Sequence, residues 1–198
     1  ADSLNKVHQE AESLRRRLDT LNAKLSEKKD GAKPPVAARD PERVVVLLDT
    51  HSLFLPARVR NLRIDFRVFL AAATENAKLG GAVAYVVERA GSNPAAFKRA
   101  LEEFGYLVRS WIFDPGGSEP WLDAIVSDIR AFTPGAGKIV LAAQTASLAP
   151  AVAEAVASGC RVTLAAFPYD LPPALKSAAP DFMPFEGDLV STMPSFQR

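Results

Sequence analysis

The chain has 198 residues and a mass of 21.3 kDa, 48% of it apolar and 24% charged, which excludes a wholly disordered polypeptide and leaves room for one domain plus an appendage. Its formal net charge is +1, with 9 basic and 8 acidic side chains in residues 1–42 and 15 of each beyond, so bulk basicity of the kind that grips nucleic acid is excluded. One cysteine and two histidines exclude a disulfide scaffold and a structural zinc site; no apolar run nears the ~20 residues of a membrane span, and a cytoplasmic, reducing location is expected.

Leu4, Val7, Ala11, Leu14, Leu18, Leu21 and Leu25 recur at steps of three and four, an unbroken a/d seam over three heptads. Residues 1–28 therefore predict a coiled-coil helix. In a parallel dimer Glu10 at g would face Arg15 at e of the partner, worth a few tenths of a kcal/mol. The same helix could pack on its own domain, but globular helices bury a broader stripe than this one offers. The expected partner is a second copy or another coiled-coil protein, held through residues 4–25. Ala1 stands without an initiator Met, as in a processed chain or a piece of a longer one.

Residues 29–42 hold Gly31, Pro34, Pro35 and Pro41 with almost no large apolar side chain, and read as an extended linker. From residue 43 the patterning alternates. Residues 44–48 are a wholly apolar strand ending at Asp49. Apolar residues at helical spacing (Phe66, Phe69, Leu70, Ala73, Ala77) predict a helix over 64–79, stopped by Gly80-Gly81. Residues 82–87 are a second strand. Ser92 or Asn93 caps a helix with Pro94 at its first position, ending at Gly105. A third strand follows at 106–113, a loop at 114–120, a helix at 121–132 and a strand at 138–143. A helix over 148–158, closed by Gly159, leads into a fifth strand at 161–167. The Pro-rich remainder carries a short helix at 174–178 and an extended piece at 182–185. Strands separated by helices imply a parallel sheet covered on both faces, so the expected fold is a three-layer α/β sandwich with a mainly parallel five-stranded, Rossmann-like sheet.

Open parallel sheets place their sites at the carboxyl ends of the strands. Those ends read Asp49-Thr50-His51-Ser52, Glu88-Arg89, 114–119, and Ala143-Gln144-Thr145-Ala146-Ser147. GxGxxG, GxxxxGK[ST] and GxSxG are all missing from the sequence, which removes the usual support for dinucleotide, nucleoside triphosphate and serine-hydrolase chemistry.

Several short signals fall in one order: Asp49-Thr50-His51-Ser52, Ile64-Asp65-Phe66, Ala84-Tyr85, Gly105-Tyr106-Leu107-Val108, Trp121-Leu122 with Asp128, the run from Ala142 to Pro150, and Asp181-Phe182. Their order and spacing resemble the NYN family of PIN-like domains, in its LabA-like branch, over residues 43–189, leaving 190–198 as a tail. The resemblance implies a nuclease fold that cuts RNA or flapped DNA, with carboxylates holding Mg²⁺ or Mn²⁺ to neutralise the scissile phosphate and activate water. It assigns metal-ligand positions to Asp49 and Asp128. At the other family positions the pattern departs: Leu122 stands for the first Asp after Trp, with Asp123 one residue late. Ser52 replaces Asn, and Thr145 and Ser147 replace two aspartates. Hydroxyls are poor ligands beside carboxylates and bring no charge, so the implied site falls from about four negative charges toward two, and its hold on a divalent ion falls with them.

The expectation is an oligomeric scaffold or interaction protein built on a degenerate nuclease domain, with no cofactor, and with RNA binding retained as an option. The alternative is a working Mg²⁺- or Mn²⁺-dependent ribonuclease using Asp49, Asp128 and Asp123. Asp49 reads equally as a turn cap, and Asp128 as a solvated helix position. Arg58, Arg60, Arg63 and Arg67 lie within ten residues and form the candidate nucleic-acid surface, since guanidinium groups pair bidentately with phosphate; a solvated helix start is the plain alternative. For Trp111 and Trp121 core packing is expected ahead of base stacking.

Overall fold

The computed structural model describes residues 39–89 and 91–193; the heptad seam at 4–25 lies outside the described residues. In chain order the elements are β1 (Asp40–Asp49), α1 (Thr50–Val59), β2 (Leu62–Ile64), α2 (Phe66–Ala73), β3 (Lys78–Glu88), α3 (Ala95–Glu103), β4 (Leu107–Ile112), α4 (Pro120–Phe132), β5 (Ala136–Ala142), α5 (Ala149–Ala157), β6 (Arg161–Ala166), α6 (Pro173–Ala178), β7 (Asp181–Pro184) and β8 (Val190–Thr192). The central sheet runs β4-β3-β1-β5-β6-β7, and every neighbouring pair is parallel.

The sheet has six strands where the sequence predicts five. The sixth, β7, pairs with β6 from Thr163↔Asp181 to Ala166↔Pro184. It overlaps the extended piece expected at 182–185 outside the five sheet strands, and its proline is tolerated because β7 lies at the sheet edge. A second, two-stranded antiparallel sheet joins β2 to β8, a pairing across more than a hundred residues that no local signal announces. At the other end, β1 begins at Asp40, three residues inside the stretch expected to be linker.

The helix expected over 64–79 is also corrected. Its first residues are β2, α2 occupies only Phe66–Ala73, and β3 has begun by Lys78. Asp65 sets the start, its carboxylate accepting from the backbone N–H of Arg67 and Val68 at 3.0 Å each, a side-chain N-cap. Thr74 closes the end by donating to Leu70 O at 2.7 Å, and Asn76 turns the chain with φ 57°. Gly80 and Gly81 then lie inside β3, where Gly80 O accepts from the Arg43 guanidinium at 3.3 Å.

Alternation along the strands sorts two cores. Val45, Leu47, Val83, Tyr85, Ile139, Leu141, Val162 and Leu164 face α4, α5 and α6, while Val44, Val46, Leu48, Ala82, Ala84, Val86 and Val140 face α1, α2 and α3. Consecutive residues of β1 are buried on opposite sides, as a central parallel strand requires. The result is three layers. Among the described residues no helix is long and apolar enough to cross a membrane.

Arg39 ties the amino end of β1 to two helices. Its guanidinium donates to Thr133 O at 3.2 Å and Ser158 O at 2.8 Å, the C-cap residues of α4 and α5. A cation there satisfies orphan carbonyls and sits at the negative ends of both helix dipoles. Arg39→Ala should lower the unfolding free energy by about 1 kcal/mol, read as a lower midpoint in urea; an unchanged midpoint would mean the clamp is idle.

Candidate functional site

The parallel arrangement brings the carboxyl ends of β1, β3 and β5 together. Asp49 is the last residue of β1 and lies in register with Tyr85 of β3. By alternation from Val45 and Leu47, Asp49 faces the α4 side, as does Tyr85. On α4, Leu122, Asp128 and Ile129 are buried at three or four residues from the buried Ile125, so Asp128 belongs to the face that packs on the sheet. The fold thus gathers Asp49, Tyr85 and Asp128.

Asp49 is 1% exposed and serves as the N-cap of α1. Its Oδ1 accepts from the backbone N–H of His51 at 3.1 Å and of Ser52 at 3.3 Å, and the Thr145 hydroxyl donates to Oδ2 at 3.5 Å. Ser52 Oγ meanwhile accepts from Gln144 N at 2.9 Å, closing the end of β5 onto α1. Ser52 and Thr145 are therefore both ranged around Asp49. Burial pushes the Asp49 pKa above the usual 3.8, against the pull of the Ser52 and His51 hydrogen bonds. Desolvation prevails over these hydrogen bonds and the Coulombic pull of His51 together.

Asp128 is held differently. Its Oδ2 accepts from the Tyr85 hydroxyl and from Arg109 Nη1 at 2.8 Å, an ion pair with the Asp128 side chain 11% and the Arg109 side chain 40% exposed. Burial, then the hydrogen bond to Asp128, raises the Tyr85 pKa far above the ordinary phenol range, so Tyr85 keeps its proton and donates it to the carboxylate. Trp111 stacks on Tyr85 with ring centroids 6.1 Å apart, roofing the pair. Tyr85 enters the sequence reading only within the Ala84-Tyr85 strand signal, with no site role, and Arg109 does not enter it. The available signal was the lone charge of β4, Arg109, and a lone acid on the apolar face of α4, a pattern that asks for pairing.

The remaining expectations fall as follows. Asp123 is exposed in the first turn of α4 while Leu122 is buried, so the helix presents leucine, not the neighbouring carboxylate, to the sheet. Arg60 lies flat over Tyr169, 3.3 Å from guanidinium to ring centroid, and pairs with Asp170 at 3.2 Å. Arg58, Arg63 and Arg67 are exposed. Gln144 is engaged on both sides of its amide, donating to Tyr169 O at 2.8 Å and accepting from Phe167 N at 3.3 Å. His51 stacks on Phe113 at 5.5 Å and meets the edge of Trp121 at 5.2 Å, and Trp121 is a core residue. Glu88 pairs with Lys98 at 2.7 Å.

These residues do not fit a divalent cation. Mg²⁺ and Mn²⁺ bind through carboxylate oxygens left open to the ion and its waters. Here one Asp128 oxygen already accepts from a phenol and a guanidinium, both Asp49 oxygens face donors, and Asp123 points elsewhere. Among the described residues no three His, Cys, Asp or Glu side chains cluster closely enough to hold a metal.

Comparison with known proteins agrees with the geometry of the fold. The family model described as NYN domain matches residues 43–186, from β1 to just beyond β7. A crystal structure of a Vibrio parahaemolyticus protein of unknown function superposes with a TM-score of 0.68 at 19% identity, covering 76% of this chain and 96% of that one; at that identity the likeness establishes the fold. Among curated proteins none matches the chain.

Proposed function

The chain belongs to the NYN domain family, and we propose that within it this protein is an interaction module whose nuclease-type centre has been refitted for structural use. One observation carries the reading: Asp128, a metal-ligand position by resemblance, directs a single carboxylate oxygen at both Tyr85 and Arg109. Metal binding at that oxygen would break the ion pair and leave the Tyr85 hydroxyl without an acceptor. Either loss costs on the order of 1–3 kcal/mol before any ion is coordinated. Asp49 is buried, and both of its oxygens already face donors of the protein itself.

The domain keeps the nuclease framework, with aligned strand ends and a helix N-terminus at β1, but its polar groups are turned inward on one another. What remains outward is surface. Residues 4–25 gather copies of the chain or a coiled-coil partner, and the domain is what they display.

The rival reading is a metal-dependent ribonuclease using Asp49, Asp128 and Asp123. It needs α4 turned by about 100° to swap Asp123 for Leu122, drawing an apolar side chain out of the core. The full chain incubated with single-stranded RNA and Mn²⁺ is expected to leave the RNA intact. Cleavage by the wild type that disappears in Asp49→Asn would establish the rival.

A further inference from the structure

The outer face of α1 is unusual for a surface helix. Phe54, Leu55 and Val59 are 59%, 65% and 70% exposed, while Leu53 and Ala57 on the opposite side are buried. Leu55 and Val59 stand one turn apart, as do Phe54 and Arg58, so the four form one contiguous patch. Scattered single apolar residues are ordinary on a surface; three large ones side by side on one helical face are not.

Along the helix itself the charge has one sign; at its end the Asp170 carboxylate is paired to Arg60. No acidic residue occurs between Thr50 and Asn61. Arg58 is exposed in the middle of the patch, and Arg63 is exposed on β2, the strand that packs beside α1. Neither pairs with a carboxylate among the described residues. The size is also informative. Three side chains and an arginine fall well short of the ~800 Å² per partner that a stable globular interface buries, so the patch is too small to hold a second folded copy by itself. It suits a helical segment that lays two or three apolar anchors along α1. Phosphate backbones are a poor match, because three of the patch's four side chains are apolar.

We infer that the outer face of α1 docks a short amphipathic segment of a partner protein, with apolar residues meeting Phe54, Leu55 and Val59 and flanking Asp or Glu side chains meeting Arg58 and Arg63. This goes beyond the reading of the strand ends and stands whether or not they cleave RNA.

The test pans a random dodecapeptide display library over the immobilised full chain. Counter-selection uses the double variant Leu55→Ser/Val59→Ser, whose exposed positions leave the fold intact, as checked by its melting curve. Selected peptides are synthesised and their affinities measured by fluorescence anisotropy. The expected peptides space apolar residues by three and four and carry acidic flanks. They lose about tenfold or more in affinity on the double variant and several-fold on Arg58→Glu, and Lys in place of their acids also weakens them. Failure to enrich any sequence above the counter-selected background overturns the inference, as do enriched peptides that are basic or bind the double variant equally. So does Leu55-dependent binding to phosphatidylserine vesicles or to single-stranded RNA in place of peptides.

Discussion

Asp128→Ala is expected to lower the unfolding free energy by about 2–3 kcal/mol. Truncation leaves the buried Tyr85 hydroxyl without its acceptor and Arg109 without its counter-ion, and it opens space beneath Trp111. Full rupture of a buried ion pair costs about 3–5 kcal/mol, but Arg109 is 40% exposed, and water recovers part of its solvation. Asp128→Asn keeps an acceptor for Tyr85 and should lose about half as much. Urea midpoints read both. Because the three side chains form one network, Tyr85→Phe combined with Asp128→Ala should be less harmful than the separate losses added together. A change within ~0.5 kcal/mol for Asp128→Ala, the range of an ordinary surface site, would show that the carboxylate is structurally idle.

Asp49→Asn should stabilise the protein at neutral pH by about 1–2 kcal/mol. Asparagine caps a helix as well as aspartate does, and its side-chain carbonyl can take the His51 and Ser52 donors that Asp49 now takes. What it removes is a charge held out of water. Since burial raises the Asp49 pKa above its unfolded value, the contribution of the protonated form is fully present below the unfolded pKa of about 3.8. It is lost as pH rises through the folded value. The advantage of asparagine must therefore open as pH rises and close toward pH 4 and below, a profile that thermal unfolding over a pH series would trace. Destabilisation by Asp49→Asn at pH 7 would mean a cation holds the carboxylate in its charged form.

The chain's own pattern made the framework readable where each element carries a complete local signal. The apolar run into Asp49, the Gly159 stop and the helical spacing of Trp121, Ile125 and Ile129 correspond to β1, α5 and α4. It failed where structure depends on distant partners. Helix α1 holds Thr50, His51, Ser52 and Pro56, all of which favour caps, turns or breaks in isolation, and only Asp49 at the strand end shows why the helix starts. β2 and β8 are three residues each and exist through one another. The long apolar period through Ala77 concealed that β3 starts at Lys78, because an alanine-rich stretch fits helix and strand periods alike.

At the site, the types of residue were legible and their engagements were not. The resemblance implies acids where Leu122, Thr145 and Ser147 stand. That Asp128 meets Arg109, 19 positions away, and Tyr85, 43 positions away, follows only from the register of β3 against β4 and the facing of α4. The same holds for Arg60, one of four arginines considered for phosphate, which the fold commits to Tyr169 and Asp170.

Calorimetric titration of Mn²⁺ into the full chain at neutral pH, with Asp49→Asn and Asp128→Asn alongside, is the decisive measurement. If the strand-end carboxylates are committed to the protein's own donors, all three proteins give only heats of dilution up to about millimolar ion, well beyond the range of a functional divalent site. A saturable heat at one ion per wild-type chain, lost in either variant, would contradict the account.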